Sequence, residues 1–425
     1  MSYTLIAIFS VLALLGVPLA VSLGIGVAVT LVIFDLPLSL VPQAMYTSMN
    51  SFVLVAVPLF ILAGNVMSMG GIADRIFAAA DSVVGRWRGG LGHVNVVAST
   101  IFGGMSGSSV ADVGSLGAIE IKAMTDYKYP RPYAASITMV TSVLSSVVPP
   151  SIIMIIAAAT AGVSVGGALA GGIGPAVLFI AGFMAVNYVL SVRHGYGTVS
   201  KKSKREVARC LLVAVPALGA PVIILISIFS GVVTPTEGAG LAVVYSLLVG
   251  FVLYREMKGR DVPTILIRSG VTTGTVLFIA MVASIAAYIF TIDGLPVRIS
   301  DAVLGISENP MVVMLVIGVL LVLIGTVMDV IAAILILVPV LMPTVEQVGI
   351  DPLHFVVFLV ACLSMGLVTP PVGVALFATS HISRLSIERV ASASRWFYVV
   401  MIVVLALLAV IPQVTLWPVE FLTGH

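Results

Sequence analysis

Long apolar stretches alternate with short polar or basic connectors along the whole chain. Most reach the ~20 residues that a helix needs to cross a hydrocarbon core. Continuous crossings are predicted at about 4–33, 50–68, 132–162, 166–192, 209–230, 234–254, 268–290, 353–380 and 396–418. Two regions break this pattern. From Gly92 to Met124 the apolar run is split by the GGMSGSS segment, leaving arms of roughly 15 residues, too short to cross at ~1.5 Å per residue. From Pro310 to Pro343 the run is too long for one crossing and breaks at Gly325-Thr326. Both are predicted to be re-entrant helical hairpins with tips near mid-membrane. Asp74, Arg75, Asp81, Arg86 and Arg88, set among apolar residues between about 69 and 91, suit a helix lying in the interface.

Each hairpin is followed by a span with its own interruption. Ser145-Ser146-Val147-Val148-Pro149-Pro150-Ser151 breaks the first and Gly366-Leu367-Val368-Thr369-Pro370-Pro371 the second. A mid-span Pro-Pro removes N–H donors and unwinds the helix, freeing carbonyls beside the Ser and Thr hydroxyls. The result is an all-oxygen, weakly charged cage that suits a hard monovalent cation such as Na⁺, since no His or Cys cluster offers a transition-metal site. The returning hairpin arms and the half-helices after each Pro-Pro start near the midplane, where their positive dipole ends can hold an anion. Kinking of packed helices is the plainer role for the prolines, and four coincident breaks weigh against it.

A shift of about 217 to 223 residues superposes the two halves. Pro18 falls on Pro235; Gly71, Arg75 and Ile76 on Gly294, Arg298 and Ile299; Ser109, Val110, Asp112 and Val113 on Thr326, Val327, Asp329 and Val330; Val147, Pro149 and Pro150 on Val368, Pro370 and Pro371. The expected fold class is therefore an all-α polytopic membrane protein of two inverted repeats, each with a re-entrant hairpin and a Pro-Pro-broken helix. The first repeat is placed at 1–192 (hairpin about 92–125, broken helix about 132–162) and the second at 231–425 (hairpin about 310–343, broken helix about 353–380). A basic connector and linking span occupy 193–230 between them. Inverted repeats with broken elements are the build of secondary transporters, with substrate and ions bound where the repeats meet.

Composition agrees with the pattern: the 425 residues are 60% hydrophobic and only 9% charged, far too few charges for a soluble surface. The first run, Leu5 to Phe34, is too long for a signal-peptide core and lacks a basic leader, so it is expected to stay as the first span. Placing the connector Arg193 to Arg209 in the cytoplasm puts every Lys and Arg on that side except Arg298, as the positive-inside rule requires. That count predicts a cytoplasmic N-terminus and connector and a periplasmic C-terminus. The basic run suits anionic lipid heads and topology, and gives no reason to expect nucleic acid. Cys210 and Cys362 lie in apolar sequence and predict no disulfide; His93, His354 and His381 are scattered. The absence of a G-x-x-x-x-G-K-[ST] motif leaves an ion gradient or another subunit as the source of energy.

Asp112 and Asp329 are the carboxylates at membrane depth, where such groups usually face a cavity and serve transport or proton chemistry. Cation ligation, capping of the returning helix and proton carriage all stay open for them. An intramembrane aspartyl hydrolase would need the two as a proton-sharing pair, and each instead follows its own hairpin tip.

The segments VPLFILAGNVMSMGGIADRI, IFGGMSGSSVADVGSLGAI, VVPPSIIMIIAA, GVVTPTEGAG, MDVIAAILILVPVLMP and GLVTPPVGVALF resemble the large membrane subunit of tripartite ATP-independent periplasmic (TRAP) transporters, over nearly the whole chain. The resemblance implies a bacterial inner-membrane, Na⁺-driven importer of organic acid anions, sialic acid or C4-dicarboxylates. It implies an elevator mechanism with scaffold and transport domains. It also implies two partners, a periplasmic substrate-binding protein and a separate small four-helix membrane subunit. By the resemblance, one Na⁺ would sit between Ser106, Ser108 and Ser109 at the first tip and Ser145, Val148 and Pro150 at the first break. A second would sit between Gly325, Thr326 and Met328 and the pair Gly366 and Thr369. Substrate would meet Ser108, Asp112, Ser146, Ser151, Asp329, Pro371 and Gly373. A stand-alone carboxylate transporter of related inverted-repeat design, needing no binding protein, is the competing function.

Overall fold

The computed structural model describes residues 1–50, 52–197 and 203–423, and the described residues are helical without a strand. Five of their helices are long and apolar enough to cross a membrane, or eight if each sharply bent pair counts as one span. The chain opens with α1 (Ser2–Leu14) and α2 (Leu19–Ile33). The expected single crossing at 4–33 is thus two helices. Gly16 takes a left-handed φ of 84° and Pro18 caps α2, so the chain doubles back and Gly26 packs against the backbone of Leu5. Both arms are apolar all round, which is why hydropathy alone reads straight through the turn. Next come α3 (Leu40–Met49), a 3₁₀ turn at Phe52–Val55 and α4 (Ala56–Met69), then the amphipathic α5 (Ile72–Val84) over the predicted interfacial segment. The first hairpin is α6 (Gly90–Ser106) returning as α7 (Ser109–Ser115) and α8 (Gly117–Asp126). The first broken span is α9 (Arg131–Thr141), α10 (Leu144–Val147) and α11 (Ile152–Ala161), bent by 43° at the break, and α12 (Val165–Gly171) and α13 (Ile173–His194) complete this half.

The second half begins with α14 (Lys204–Phe229) and α15 (Pro235–Leu248), joined by a short turn at Gly231. Most of the basic connector is placed, but residues 198–202 lie outside the described residues. α15 restarts because Thr234 and Glu237 form a capping box and Pro235 takes the first helical position, where a missing N–H costs nothing. α14 and α15 meet a proline-marked turn just as α1 and α2 do, although 209–230 was expected to stand outside both repeats. Then follow α16 (Val262–Ile292), α17 (Leu295–Leu304), the second hairpin of α18 (Pro310–Gly325) and α19 (Val330–Gln347), and the second broken span of α20 (Pro352–Leu367) and α21 (Val374–Ser383). The chain closes with α22 (Ile387–Ala393), α23 (Arg395–Val410) and α24 (Gln413–Thr423). The crossing expected at 396–418 ends at Val410, because Pro412 cannot continue the helix and α24 turns away to pack on α12 and α13.

Two arginine clamps repeat across the halves. Gly71 and Gly294 each start a helix, α5 and α17, with φ near 70°. Arg75 pairs with Glu256 at 2.7 Å and lies 3.8 Å over the Tyr254 ring, and a Cβ on Gly71 would strike Glu256. Arg298 pairs with Asp293 at 2.5 Å and lies 5.2 Å over Tyr3. Asp293 also accepts the Ser2 N–H at 3.0 Å and meets the N-terminal ammonium at 3.5 Å. Ser2 first, with Arg298 and that ammonium beside it, holds the Asp293 carboxyl well below the usual carboxylate range. These contacts fix the N-terminus on the side of Arg298. The expected topology put the two on opposite sides, and the doubling-back of α1 on α2 is the reason they share one.

The two breaks are bound crosswise: α11, after the first break, packs on α19 of the second hairpin, while α21, after the second, packs on α7 of the first. Within each half the outgoing arm lies on its own broken span, α6 on α10 and α18 on α20. These approaches need glycine. A Cβ on Gly366 would come within 2.4 Å of the Gly325 backbone, and one on Gly325 within 2.6 Å of the Leu363 carbonyl. Gly366→Ala should therefore lower the melting temperature of the purified protein, by the equivalent of roughly 1–3 kcal/mol for overpacking against rigid backbone. Gly270→Ala, with open space around its Cβ in α16, should leave the melting temperature unchanged or raise it slightly. Fluorescence-detected thermal melts of the two variants make the comparison, and equal melting temperatures would contradict the contact.

Candidate functional site

The hairpin tips converge on a cavity of about 490 Å³. The first tip supplies Gly107, Ser108, Ser109, Val110 and Ala111; the second supplies Asp329, Val330 and Ile331. Ile152 and Ile153 enter from the start of α11 and Leu367 from the end of α20. The opposite wall is Ile61, Gly64, Asn65 and Ser68 of α4 with Arg268, Thr272 and Val276 of α16. Three helices begin at or beside this space, each with an N-cap acceptor: Ser108 for Ala111 N–H at 3.4 Å, Ser151 for Met154 N–H at 3.3 Å and Asp329 for Ile331 N–H at 2.9 Å. Asp329 is thus a helix cap at the cavity wall, which meets the positive end of α19 with a carboxylate of its own chain. The start of α11 is capped only by a neutral hydroxyl.

Oxygen atoms gather at both tip–break contacts. At the first, Ser109 and Ser146 hydroxyls lie 3.1 Å apart, and Ser151 donates to the Ser146 carbonyl at 2.7 Å. Ser145 is fully buried with an unpartnered hydroxyl, and Gly103 and Gly104 let α6 lie directly on Ser145 and Pro149. Pro150 is buried and Val148 half-buried beside them; the Ser106 side chain lies outside the described residues. At the second contact, Gly373 N–H donates to the Thr326 carbonyl at 2.8 Å, tying the tip to the turn before α21. Thr326 donates its hydroxyl proton to Leu323 and Thr369 to Met365, both at 2.7 Å, which leaves the oxygen lone pairs available. Gly325 and Gly366 touch backbone to backbone, with Met328 half-buried alongside. Among the described residues no group of three His, Cys, Asp or Glu could hold a transition metal. The donor set is hydroxyl and carbonyl oxygen, which fits a hard monovalent ion.

The substrate candidates divide. Ser108 and Asp329 line the cavity; Ser146, Ser151 and Gly373 are buried behind its wall, and Pro371 is exposed away from it. Asp112 does not line it either. Its side chain turns into the first hairpin and is 2% exposed, so the two aspartates that align in sequence do different work in the structure. Sequence reasoning missed the far wall. Asn65, which donates to Ser269 at 2.9 Å, stood as one amide in an apolar run, and Arg268 as one more basic residue near a span end. Their signal is spacing: Asn65 and Ser68, and Arg268 and Thr272, each share one helix face.

The chain matches the family described as "Tripartite ATP-independent periplasmic transporter, DctM component" over residues 6–414. It is 38% identical to the sialic acid TRAP transporter large permease protein SiaM of Vibrio cholerae, covering 99% of both chains. It is 33% identical to the 2,3-diketo-L-gulonate TRAP transporter large permease protein YiaN of Escherichia coli, covering 96% of each. It is 34% identical to the isethionate TRAP transporter permease protein DctMQ of Oleidesulfovibrio alaskensis, covering 96% of this chain and 65% of that one. Among solved structures the fold is similar to the YdaH transporter of Alcanivorax borkumensis, with a TM-score of 0.62 at 15% identity and 90% of each chain covered. The protein belongs to the DctM family, the large permease subunits of TRAP transporters.

Proposed function

We propose that this permease imports an organic acid anion by coupling its entry to Na⁺, with the substrate delivered by a periplasmic binding protein. The carrying observation is the cavity itself, where two oxygen-rich tip–break contacts flank a space that is also lined by the start of α11 and by Arg268. Na⁺ at the tips would hold each hairpin to its break. The anion would then lie between them, near the hydroxyls of Ser108 and Ser109. Relatives named for sialic acid, diketogulonate and isethionate bracket the substrate class, and sialic acid is the first compound to test. A small four-helix membrane subunit would pair with this one, and the inner membrane is its place. The connector would face the cytoplasm, and Arg298 with the N-terminus the periplasm. The family is one of permeases rather than enzymes. The separate placements of Asp112 and Asp329 likewise fit no shared-proton dyad.

The contacts also favour a moving unit made of both hairpins and both broken spans. α1–α4 and α14–α16 pack on one another as a frame, and α5 bridges this frame to the first hairpin, as α17 does to the second. Rigid-body movement of the unit against the frame would expose the cavity to either side.

Uptake of labelled sialic acid into proteoliposomes, with the small subunit and a candidate binding protein present, tests the reading. Full uptake without Na⁺ would overturn the coupling, and full uptake without any binding protein would favour the stand-alone transporter. Thr369→Val should raise the Na⁺ concentration for half-maximal rate about tenfold, the equivalent of roughly 1.4 kcal/mol for one lost ligand. Arg268→Gln should raise the substrate concentration for half-maximal rate while leaving the Na⁺ requirement alone. If it changes neither, the guanidinium is only a topology signal.

A further inference from the structure

Two carboxyl groups are fully buried among the described residues, Asp112 at 2% and Glu120 at 1% exposure, and no lysine or arginine is buried with them. Both sit in the first hairpin, on the face that its returning arm turns toward α6 and α9. Asn95 organises the neighbourhood. Its amide donates to Glu120 Oε2 at 2.8 Å and to the Thr138 hydroxyl at 2.6 Å, and its carbonyl accepts from Thr141 at 2.7 Å. Ser99, one turn from Asn95 on α6, turns a fully buried hydroxyl toward Asp112. Glu120 Oε1 and Asp112 Oδ1 are buried oxygens that no hydrogen bond of good geometry closes.

Among the described residues, the elements packed around them add no compensating charge. α9 contributes Thr138 and Thr141, and the buried face of α21 contributes Ala375, Leu376, Thr379 and Ser383. Lys122 and Arg131 are exposed, and the His93 ring lies against the Arg88 carbonyl at 3.2 Å. Burying an uncompensated carboxylate is strongly unfavourable even after relaxation. Two such groups, each with an open buried oxygen, describe a site short of a positive charge.

We propose that the Asp112–Glu120 cluster is a cation site separate from the two tip–break contacts. It takes up a monovalent cation, Na⁺ or a proton, at the open oxygens of Asp112 and Glu120. Asn95, Ser99 and Thr138 position the carboxyl groups. The occupant ties both arms of the first hairpin to α9, so the hairpin keeps its shape whether or not the tips hold an ion.

The test uses the full chain with its small subunit in nanodiscs and reads the melting temperature. The background carries Ser109→Ala and Thr369→Val, which weaken the two tip contacts. One series titrates Na⁺ at fixed pH, with N-methylglucamine keeping ionic strength constant; the other lowers pH without Na⁺. A cation-dependent rise in melting temperature should remain in this background, and both Glu120→Gln and Asp112→Asn should remove it. Loss of a Na⁺-driven rise assigns the site to Na⁺, and loss of an acid-driven rise assigns it to the proton. Glu120→Gln should also melt higher than its parent when neither cation is supplied, because it deletes a buried charge. The proposal is overturned if no cation-dependent rise remains, or if it survives unchanged in either variant that folds. Failure of Thr369→Val to alter Na⁺-driven uptake would count against the tip sites alone and leave this outcome to be read separately.

Discussion

Free backbone polar groups are intolerable in hydrocarbon, and this fold contains four places where a helix stops at membrane depth. The groups freed at the stops are taken up by neighbouring stops, by their own caps or by a packed helix. The Gly373 N–H at the second break goes to the Thr326 carbonyl of the second tip, and the Ser151 hydroxyl closes on the Ser146 carbonyl across the first break. Tyr398 reaches from α23 to the Val368 carbonyl at 2.7 Å. Ser108, Ser151 and Asp329 take up N–H groups at the new helix starts. The groups that remain open are mostly hydroxyl oxygens and lone pairs, so the requirement that permits broken helices also concentrates oxygen where they meet.

Much of this plan was legible because the same constraint marks the sequence. Glycine pairs, serines and Pro-Pro are rare in spans, and helices end at them: α6 at Ser106, α10 at Val147, α18 at Gly325 and α20 at Leu367. The matched Gly71 with Arg75 and Gly294 with Arg298 prove to be one helix start used twice. Hydropathy failed where a turn is made of apolar residues, at Gly16–Pro18 and at Ile411–Pro412. Apolar periodicity carries no mark of direction there.

The site was legible on one wall only. Ser108, Ser109 and Asp329 stand in motifs that look unlike ordinary spans, whereas Asn65 and Arg268 belong to helices of normal composition and acquire meaning only when α4 and α16 face the tips. Asp112 shows the converse. Its alignment with Asp329 suggests equal roles, yet Ser108 had already taken the capping position in the first hairpin, and Asp112 lies a turn further on, inside it. Alignment of the two halves fixes the place of an element more closely than the duty of a side chain.

The crosswise packing of the breaks has a mechanical meaning. α11 belongs by sequence to the first half yet rests on α19, and α21 belongs to the second yet rests on α7. Opening either hairpin alone would peel it from a half-helix that belongs to the other half of the chain and uncover carbonyls at both breaks together. The four pieces are laced like interlocked fingers, with no joint between the hands at which one could yield first. Whatever motion carries a solute past this point has its pivots elsewhere, at the chain's glycine-started arms.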